Sequence, residues 1–124
     1  NSEQAIMYLK AVLMQDLDSA LLIKQESVPF KCKILGKKVK NFNPELWDIW
    51  REEIAVYVLT QKFESSSELK TFLLSTGSST LVEASPWDKI WGIGISVKDA
   101  IAGKEWQGNN LLGQYLMKVR EIIK

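Results

Sequence analysis

The sequence predicts an α+β fold, in which a single, mainly α-helical domain carries a small β element. Over most of the 124 residues, apolar side chains recur at helical spacing between capping residues, which indicates helices joined by short loops. Two short runs after residue 79 carry β-branched residues and indicate the β element. One hydrophobic core suits a chain of this length, and we expect residues 1–124 to form one domain.

Six helices and two strands are predicted from caps, prolines, glycines and apolar spacing. The first helix begins after Ser2, the second covers residues 19–25, and the third begins at Pro29 and ends at Gly36. The fourth begins at Pro44, the fifth begins after Ser67 and ends at Gly77, and the last begins after Asn109 or Asn110. The strands are expected at Thr80–Ala84 and Ile90–Ile95, with a loop at residues 85–88 between them.

The composition excludes several classes of catalyst. Without histidine, the chain can form no Ser-His-Asp or Cys-His relay and no imidazole metal site. A single cysteine, Cys32, excludes zinc ribbons, iron–sulfur clusters and disulfide frameworks, and it is typical of a reducing cytoplasm. We therefore expect a cytoplasmic protein without metal or cofactor, whose chemistry depends on carboxylates, lysines, hydroxyls and backbone dipoles.

The net charge of +1 gives no global reason to bind nucleic acid or a membrane surface. The apolar runs are too short for a membrane-spanning helix, and the first residues do not resemble a signal peptide. We expect no membrane partner, and the oligomeric state cannot be read from the sequence.

The first helix carries Glu3 and Lys10 two turns apart on one face, together with two methionines. One interpretation is structural, with Lys10 extending to solvent and Glu3 favouring the helix N-terminus. The other is chemical, because a desolvated lysine has a lowered pKa and a more nucleophilic amine.

A second candidate is the stretch of residues 83–94, which gathers two tryptophans, two carboxylates and two glycines. Trp91 follows Asp88 by three residues and could offer an indole face beside a carboxylate, while Gly92 would let a ligand approach the backbone. The alternative is that the tryptophan fills the core and Asp88 closes a turn.

Two further features are open to both structural and binding interpretations. Asn110 stands where the last helix begins, and it either caps that helix or contributes to an anion site there. Lys37 belongs to a local cluster of five lysines between residues 31 and 40. The cluster either forms a solvent-exposed face without a ligand or attracts a phosphorylated or nucleic-acid substrate by its positive charge.

Several motifs in the same order resemble the NADAR (NAD- and ADP-ribose-associated) family from Ser2 to the C-terminus. The two most specific are Glu-Ala-Ser-Pro-x-Asp-x-x-Trp-Gly at residues 83–92 and Trp-x-Gly-x-Asn-x-Leu-Gly at residues 106–113. The Ser-Glu-Gln-Ala-Ile-Met-Tyr-Leu-Lys-Ala helix, Ile-Leu-Gly-Lys-Lys-Val at 34–39, Lys62-Phe63 and Leu-Met-Lys-Val-Arg at 116–120 continue the pattern. The family's usual first segment, with a Phe-x-Ser-Asn-Phe-like motif, does not precede Asn1, and we expect the domain to lack it.

The resemblance implies a metal-independent N-glycosidase that hydrolyses the bond between a nitrogen base and a (phospho)ribose. It implies either ADP-ribosylated guanine in DNA or a ribosylamino-pyrimidine phosphate of riboflavin synthesis as the substrate, so the partner is a modified nucleic acid or a nucleotide-like small molecule. We expect Glu3, Lys10 and Asp88 to be catalytic, and the substrate to contact Trp47, Trp91, Gly92, Asn110 and Lys37. The alternative is a non-catalytic module that binds ADP-ribose or a related nucleotide.

Overall fold

The computed structural model describes residues 1–124, which form seven helices and no β-strand. The helices are α1 (Ser2–Leu13), α2 (Leu17–Gln25), α3 (Pro29–Lys37), α4 (Pro44–Glu64), α5 (Ser67–Ser75), α6 (Val97–Ile101) and α7 (Leu111–Ile122). The predicted α+β class is therefore wrong, and the fold is all-α. None of the seven helices combines the length and the apolar character needed to cross a bilayer.

Most helix starts agree with the capping signals, with shifts of one or two residues. Asn1 rather than Ser2 caps α1, and its side chain accepts a hydrogen bond from the backbone N–H of Gln4. Pro29 occupies the first turn of α3, as predicted, but Gly36 lies inside that helix rather than after its end. The short helix α6 was not predicted, because five residues carry too little periodicity.

Two compact units make up the chain, residues 1–62 and residues 63–124. In the first, α1, α2 and α3 pack on one another. The start of α1 also caps the end of α2, because the Gln4 amide nitrogen donates to the carbonyls of Ile23, Lys24 and Glu26. The buried apolar side chains of this unit include Ile6, Met7, Ala11, Ile23, Cys32 and Leu59.

Cys32 is fully buried in this unit, and burial raises the pKa of its thiol, with Glu26 and Glu3 acting in the same direction. It is therefore a packing residue in the reduced form.

The second unit contains α5, α6 and α7 and two irregular stretches, and its buried side chains include Leu73, Ile93, Ile95, Tyr115 and Val119. Residues 79–83, which include most of the predicted strand at 80–84, run along α7 in the opposite direction. Arg120, in the last turn of α7, donates to the Ser79 carbonyl at 2.9 Å. At the other end of α7, the Asn110 side chain bonds to the backbone of Leu81 and Glu83.

These bonds explain why neither predicted strand forms. A strand needs a neighbouring strand for its backbone groups, but the Ser79 and Leu81 carbonyls and the Glu83 N–H bond to the side chains of Arg120 and Asn110. The Glu83 carbonyl accepts from two loop amides, those of Ser85 (3.1 Å) and Ile93 (2.9 Å). The second predicted strand contains Gly94, whose φ of +73° leaves the extended region. β-Branched composition is therefore not sufficient evidence for a sheet.

Candidate functional site

Lys10 lies in a partly buried environment at the meeting of α1 and α3. Its Nζ donates to the Gly36 carbonyl at 3.0 Å, and this carbonyl is one of the last four of α3, which have no partner within the helix. Nζ also lies 4.8 Å from the centre of the Phe42 ring and 5.4 Å from that of Trp47. Both rings are within the range of a cation–π interaction.

Gly36 lets the two helices approach closely enough for this contact. A Cβ at this position would lie 2.1 Å from the Sδ atom of Met7, so any larger residue would collide with the side chain of α1. The glycine in α3 therefore serves the packing of α3 on α1 and does not mark the end of the helix. Its carbonyl comes within reach of Lys10 as a result.

The electrostatics of this environment act on the Lys10 amine. Burial lowers the pKa of Lys10 from its usual 10.5; the Glu3 carboxylate opposes this shift, and the positive charge of Lys37 adds to it. Glu3 is partly buried on the same helix, and Lys37 is exposed at the end of α3. Four of the predicted residues, Glu3, Lys10, Lys37 and Trp47, thus lie in the first unit.

Trp47 is 7% exposed and belongs to the core of α4, but one face of its ring lies toward the Lys10 amine. Sequence reasoning missed Phe42, which is 44% exposed and nearer to the amine than Trp47 is. No sequence signal connects the two residues, because the contact spans thirty-two positions in the chain and depends on how α3 packs on α1.

The other four predicted residues, Asp88, Trp91, Gly92 and Asn110, lie in the second unit. Asp88 Oδ1 accepts hydrogen bonds from the backbone N–H groups of Ile90 (3.0 Å) and Trp91 (2.8 Å). The carboxylate thus closes the turn, as the structural interpretation anticipated. Trp91 is partly buried and packs edge-on against Tyr115, with ring centres 5.6 Å apart.

Gly92 and Gly108 let two loops pack directly against each other. A Cβ on Gly108 would lie 2.4 Å from the Gly92 carbonyl oxygen, and one on Gly92 would lie 2.8 Å from the Asp88 carbonyl oxygen. Backbone bonds of 2.8–2.9 Å connect Gln107 to Ile93, Asn109 to Lys89 and Asn110 to Gly92. The glycine at 92 therefore accommodates the chain's own backbone, and its predicted role toward a ligand stays a prediction.

Asn110 is the N-cap of α7, as predicted, but its side chain does not cap the helix. It is 2% exposed, and its amide accepts from Glu83 N–H and donates to Leu81 C=O, each at 3.0 Å. The N–H groups of the next two residues, Leu111 and Leu112, donate to the carbonyls of Ile90 and Trp91. The free amides on which an anion site at this helix start would depend are therefore occupied by the protein itself.

Arg120 is a second buried polar residue of α7, with 5% of its surface exposed and no carboxylate bonded to it. Its guanidinium donates to Thr76 Oγ1 at 2.8 Å and to the Ser79 carbonyl, while its Nε has no hydrogen-bond partner. Because burying an unpaired cation is costly, this arrangement indicates that the position of residues 76–79 depends on it.

A cavity of about 620 Å³ lies in the first unit between α1 and α4. Its lining includes Ser2, Ala5, Tyr8, Leu9, Tyr57, Val58, Gln61 and Lys62. None of the predicted site residues is among them, because the cavity lies on a different face of α1 from Lys10. No three carboxylate or thiol side chains come close enough to share a metal ion.

Comparison with known proteins connects these features to one family. A sequence model described as the NADAR domain matches residues 1–124. The chain is 44% identical over 123 residues to the protein named N-glycosidase R617 of Acanthamoeba polyphaga mimivirus, covering 98% of this chain and 72% of that protein. It is 34% identical over 102 residues to the chloroplastic riboflavin biosynthesis protein PYRR of Arabidopsis thaliana, covering 79% of this chain and 16% of that protein.

The fold has a relative among solved structures. The NMR structure of the E. coli protein YbiA matches with a TM-score of 0.77 and 27% identity, covering 98% of this chain and 66% of that one. The chain thus spans less than the full length of each of these three relatives. The match to the NADAR domain, over residues 1–124, includes both groups of predicted residues.

Proposed function

The chain belongs to the NADAR family, and on that premise we propose that it is an N-glycosidase acting on a base attached to a ribose or phosphoribose. The proposal is supported by the name of the viral relative, which is N-glycosidase R617 and is 44% identical. The structural observation that carries it is the Lys10 environment, in which a partly buried amine with a lowered pKa lies near a carboxylate and two aromatic rings.

Hydrolysis of an N-glycosidic bond passes through a cation-like carbon at C1 of the sugar, and the departing nitrogen needs a proton. A carboxylate stabilises the cation or activates the attacking water, while an acid of suitable pKa protonates the leaving group. Glu3 is the carboxylate in the same unit as Lys10, and Asp88 is the one in the second unit. We assign the first role to Glu3, because Asp88 Oδ1 already accepts two backbone hydrogen bonds.

Lys10 has two alternative roles, proton donor and nucleophile. The Gly36 carbonyl and the two aromatic rings all interact more favourably with the ammonium form than with the free amine. This favours Lys10 as the acid that protonates the leaving nitrogen. As a nucleophile its free amine would attack C1 of the ring-opened sugar, and the bond from C1 to the base nitrogen would break as the base leaves with a proton. Water would then hydrolyse the resulting Schiff base, and borohydride would instead trap it as a stable adduct.

The remaining predicted residues receive binding or positioning roles. Trp47 forms the wall behind Lys10, and Lys37 supplies positive charge at the exposed end of α3 for a phosphate. Trp91 lies in the second unit, and its role toward the base or sugar stays a prediction. Asn110, whose amide is fully engaged with the backbone, acts by fixing residues 81–83 rather than by touching the substrate.

The experiment that tests the function offers two substrates to the purified protein. One is an oligonucleotide bearing ADP-ribosyl guanine, and the other is a ribosylamino-pyrimidine phosphate of the riboflavin route. Chromatography would follow the release of ADP-ribose or ribose 5-phosphate, with Lys10→Met as the inactive control. The name of the plant relative favours the second substrate, while the lysine cluster of α3 favours the first.

A nucleotide-binding module without turnover is the second candidate. It is favoured by the engagement of the Asp88 and Asn110 side chains in backbone hydrogen bonds, since this leaves the second unit with fewer groups to act on a substrate. In that case ADP-ribose would raise the melting temperature while neither substrate released free sugar phosphate. Turnover of either substrate that is lost in Lys10→Met would exclude this candidate.

A further inference from the structure

The outward side of α3 combines lysines with an exposed aromatic ring. Cys32 and Gly36 form its buried face, and the other side chains are largely directed to solvent. At 100° per residue, Phe30 and Ile34 lie in the middle of the outward face, which we call the α3 face. Lysines flank these two on both sides; the complete set is Phe30, Lys31, Lys33, Ile34, Lys37 and Lys38.

Three of the four lysines of the α3 face are exposed and make no ion pair, namely Lys31, Lys37 and Lys38. The helix itself contains no acidic residue. The preceding acid, Glu26, accepts a hydrogen bond from the Val28 N–H at 3.1 Å. Although the whole chain has a net charge of only +1, four of its lysines lie within the eight residues 31–38.

We propose that the α3 face binds a single strand of nucleic acid, with one base stacked on Phe30 and the phosphates beside the flanking lysines. Phe30 is 70% exposed, so its ring is accessible for a base to stack on. Aromatic rings within a lysine-lined groove are the common means of binding single strands, because every base has a face that stacks. A duplex keeps its bases stacked internally and offers none to the ring.

The alternative partner, an anionic membrane, fits the α3 face less well. Insertion into a bilayer interface requires a wide apolar face, whereas Phe30 and Ile34 are the whole apolar part here.

The test measures the anisotropy of a fluorescein-labelled eight-nucleotide oligothymidylate between 20 and 200 mM salt. With the three lysines that make no ion pair in contact, the slope of log K against log salt should be about −2, and it should fall to about a third of that in Lys31→Gln/Lys38→Gln. Phe30→Ala should raise the dissociation constant about tenfold and leave the slope unchanged. All these positions are exposed, and unchanged melting temperatures would show that the fold is intact.

Matched controls come from the second unit. Phe72→Ala removes a ring that is 68% exposed, and Lys70→Gln/Lys98→Gln removes two exposed lysines; neither should change binding. The proposal is overturned if the oligonucleotide does not bind, if Phe30→Ala binds as well as wild type, or if the controls weaken binding equally. Binding to phosphatidylserine vesicles but not to the oligonucleotide would also overturn it, in favour of a membrane.

The two proposals fail separately. Hydrolysis of a free nucleotide substrate with no strand binding would remove the inference about the α3 face and leave the N-glycosidase intact. Strand binding without any hydrolysis would do the reverse.

Discussion

Lys10 in the first unit and Asn110 in the second are both withdrawn from solvent, yet the protein uses them differently. The Asn110 amide makes two hydrogen bonds to the backbone, one through its oxygen and one through its nitrogen, and both serve to hold residues 81–83. Lys10 donates one hydrogen bond to a carbonyl, and an ammonium has three protons to donate. The comparison indicates that a predicted site residue retains chemical capacity only where the fold leaves some of its polar groups unused.

The largest expected effect is on catalysis and comes from Lys10→Met. Removing a general acid lowers the rate about 10²- to 10⁴-fold, and we expect this loss in kcat/KM for substrate hydrolysis. Lys24→Met, which removes an exposed lysine from the same unit, should retain activity. Full activity in a folded Lys10→Met protein would contradict both roles proposed for Lys10.

The lowered pKa of Lys10 also predicts a pH dependence of stability. Between the folded pKa and the usual 10.5, the unfolded chain holds a proton that the folded chain has lost, so the free energy of unfolding should rise with pH there. Denaturant titrations across this range should show the rise in wild type and its absence in Lys10→Met. As the acid of the reaction, Lys10 should also make activity fall as the pH rises through the same lowered pKa.

Asn110→Ala should cost about 2–3 kcal/mol of stability, since it removes two partly buried hydrogen bonds, to the Glu83 N–H and to the Leu81 C=O. Asn110 also has a φ of +54°, which disfavours alanine by about 1 kcal/mol. Asn110→Gly should therefore be less destabilising than Asn110→Ala, although it loses the same two bonds. Urea unfolding would measure both; a cost below about 1 kcal/mol for alanine would refute the clamping role of the amide.

Replacing a glycine by alanine should destabilise the two units to different extents, with smaller costs than Asn110→Ala. In the second unit, Gly113→Ala would place a Cβ 2.1 Å from the Leu81 carbonyl, a backbone atom that cannot easily move. In the first, Gly36→Ala would meet the end of the flexible Met7 side chain. We expect Gly113→Ala to cost about 2–3 kcal/mol and Gly36→Ala about 1–2 kcal/mol in thermal or urea unfolding. The reverse order would show that the first unit is the more rigidly packed.

The smallest expected effect concerns Asp16, the counterpart of Asn110 in the first unit. This N-cap of α2 also reaches a distant backbone group, the Lys40 N–H, at 2.8 Å. Its hydrogen bond with the Ser19 hydroxyl, together with the backbone bonds from Lys40 and Ser19, lowers the pKa of Asp16 below its usual 3.8. Its contribution to stability is present above pH 3.8 and is lost as the pH falls toward the lowered value.

Asp16→Asn should lose less stability on acidification than wild type, although it is less stable near neutrality. Unfolding titrations between pH 6 and 2.5 would measure the difference. Parallel curves for the two proteins would show that the hydrogen bonds do not depend on the charge of the carboxylate.

The features that could be predicted from the sequence are helix starts and caps, because these depend on residues close together in the chain. Pro29 and Pro44 mark real helix starts, and Asn110 is the N-cap of the last helix. The strand at residues 80–84 was wrong because the partner of this segment is Asn110, almost thirty residues later, and no local pattern indicates that an amide will take the place of a neighbouring strand. Phe42 was missed for the same reason, since its relation to Lys10 exists only after α3 packs on α1.

The hydrogen bonds that Arg120 and Asn110 make to residues 76–83 have a consequence for how the chain folds during synthesis. Arg120 bonds to Thr76 across 44 positions, and Asn110 bonds to Leu81 across 29. During synthesis at about 5–20 residues per second, this segment emerges seconds before the helix that will hold it. A nascent chain therefore presents an unclamped stretch with exposed backbone groups, and a ribosomal pause before α7 would lengthen the interval in which proteases or chaperones can reach it.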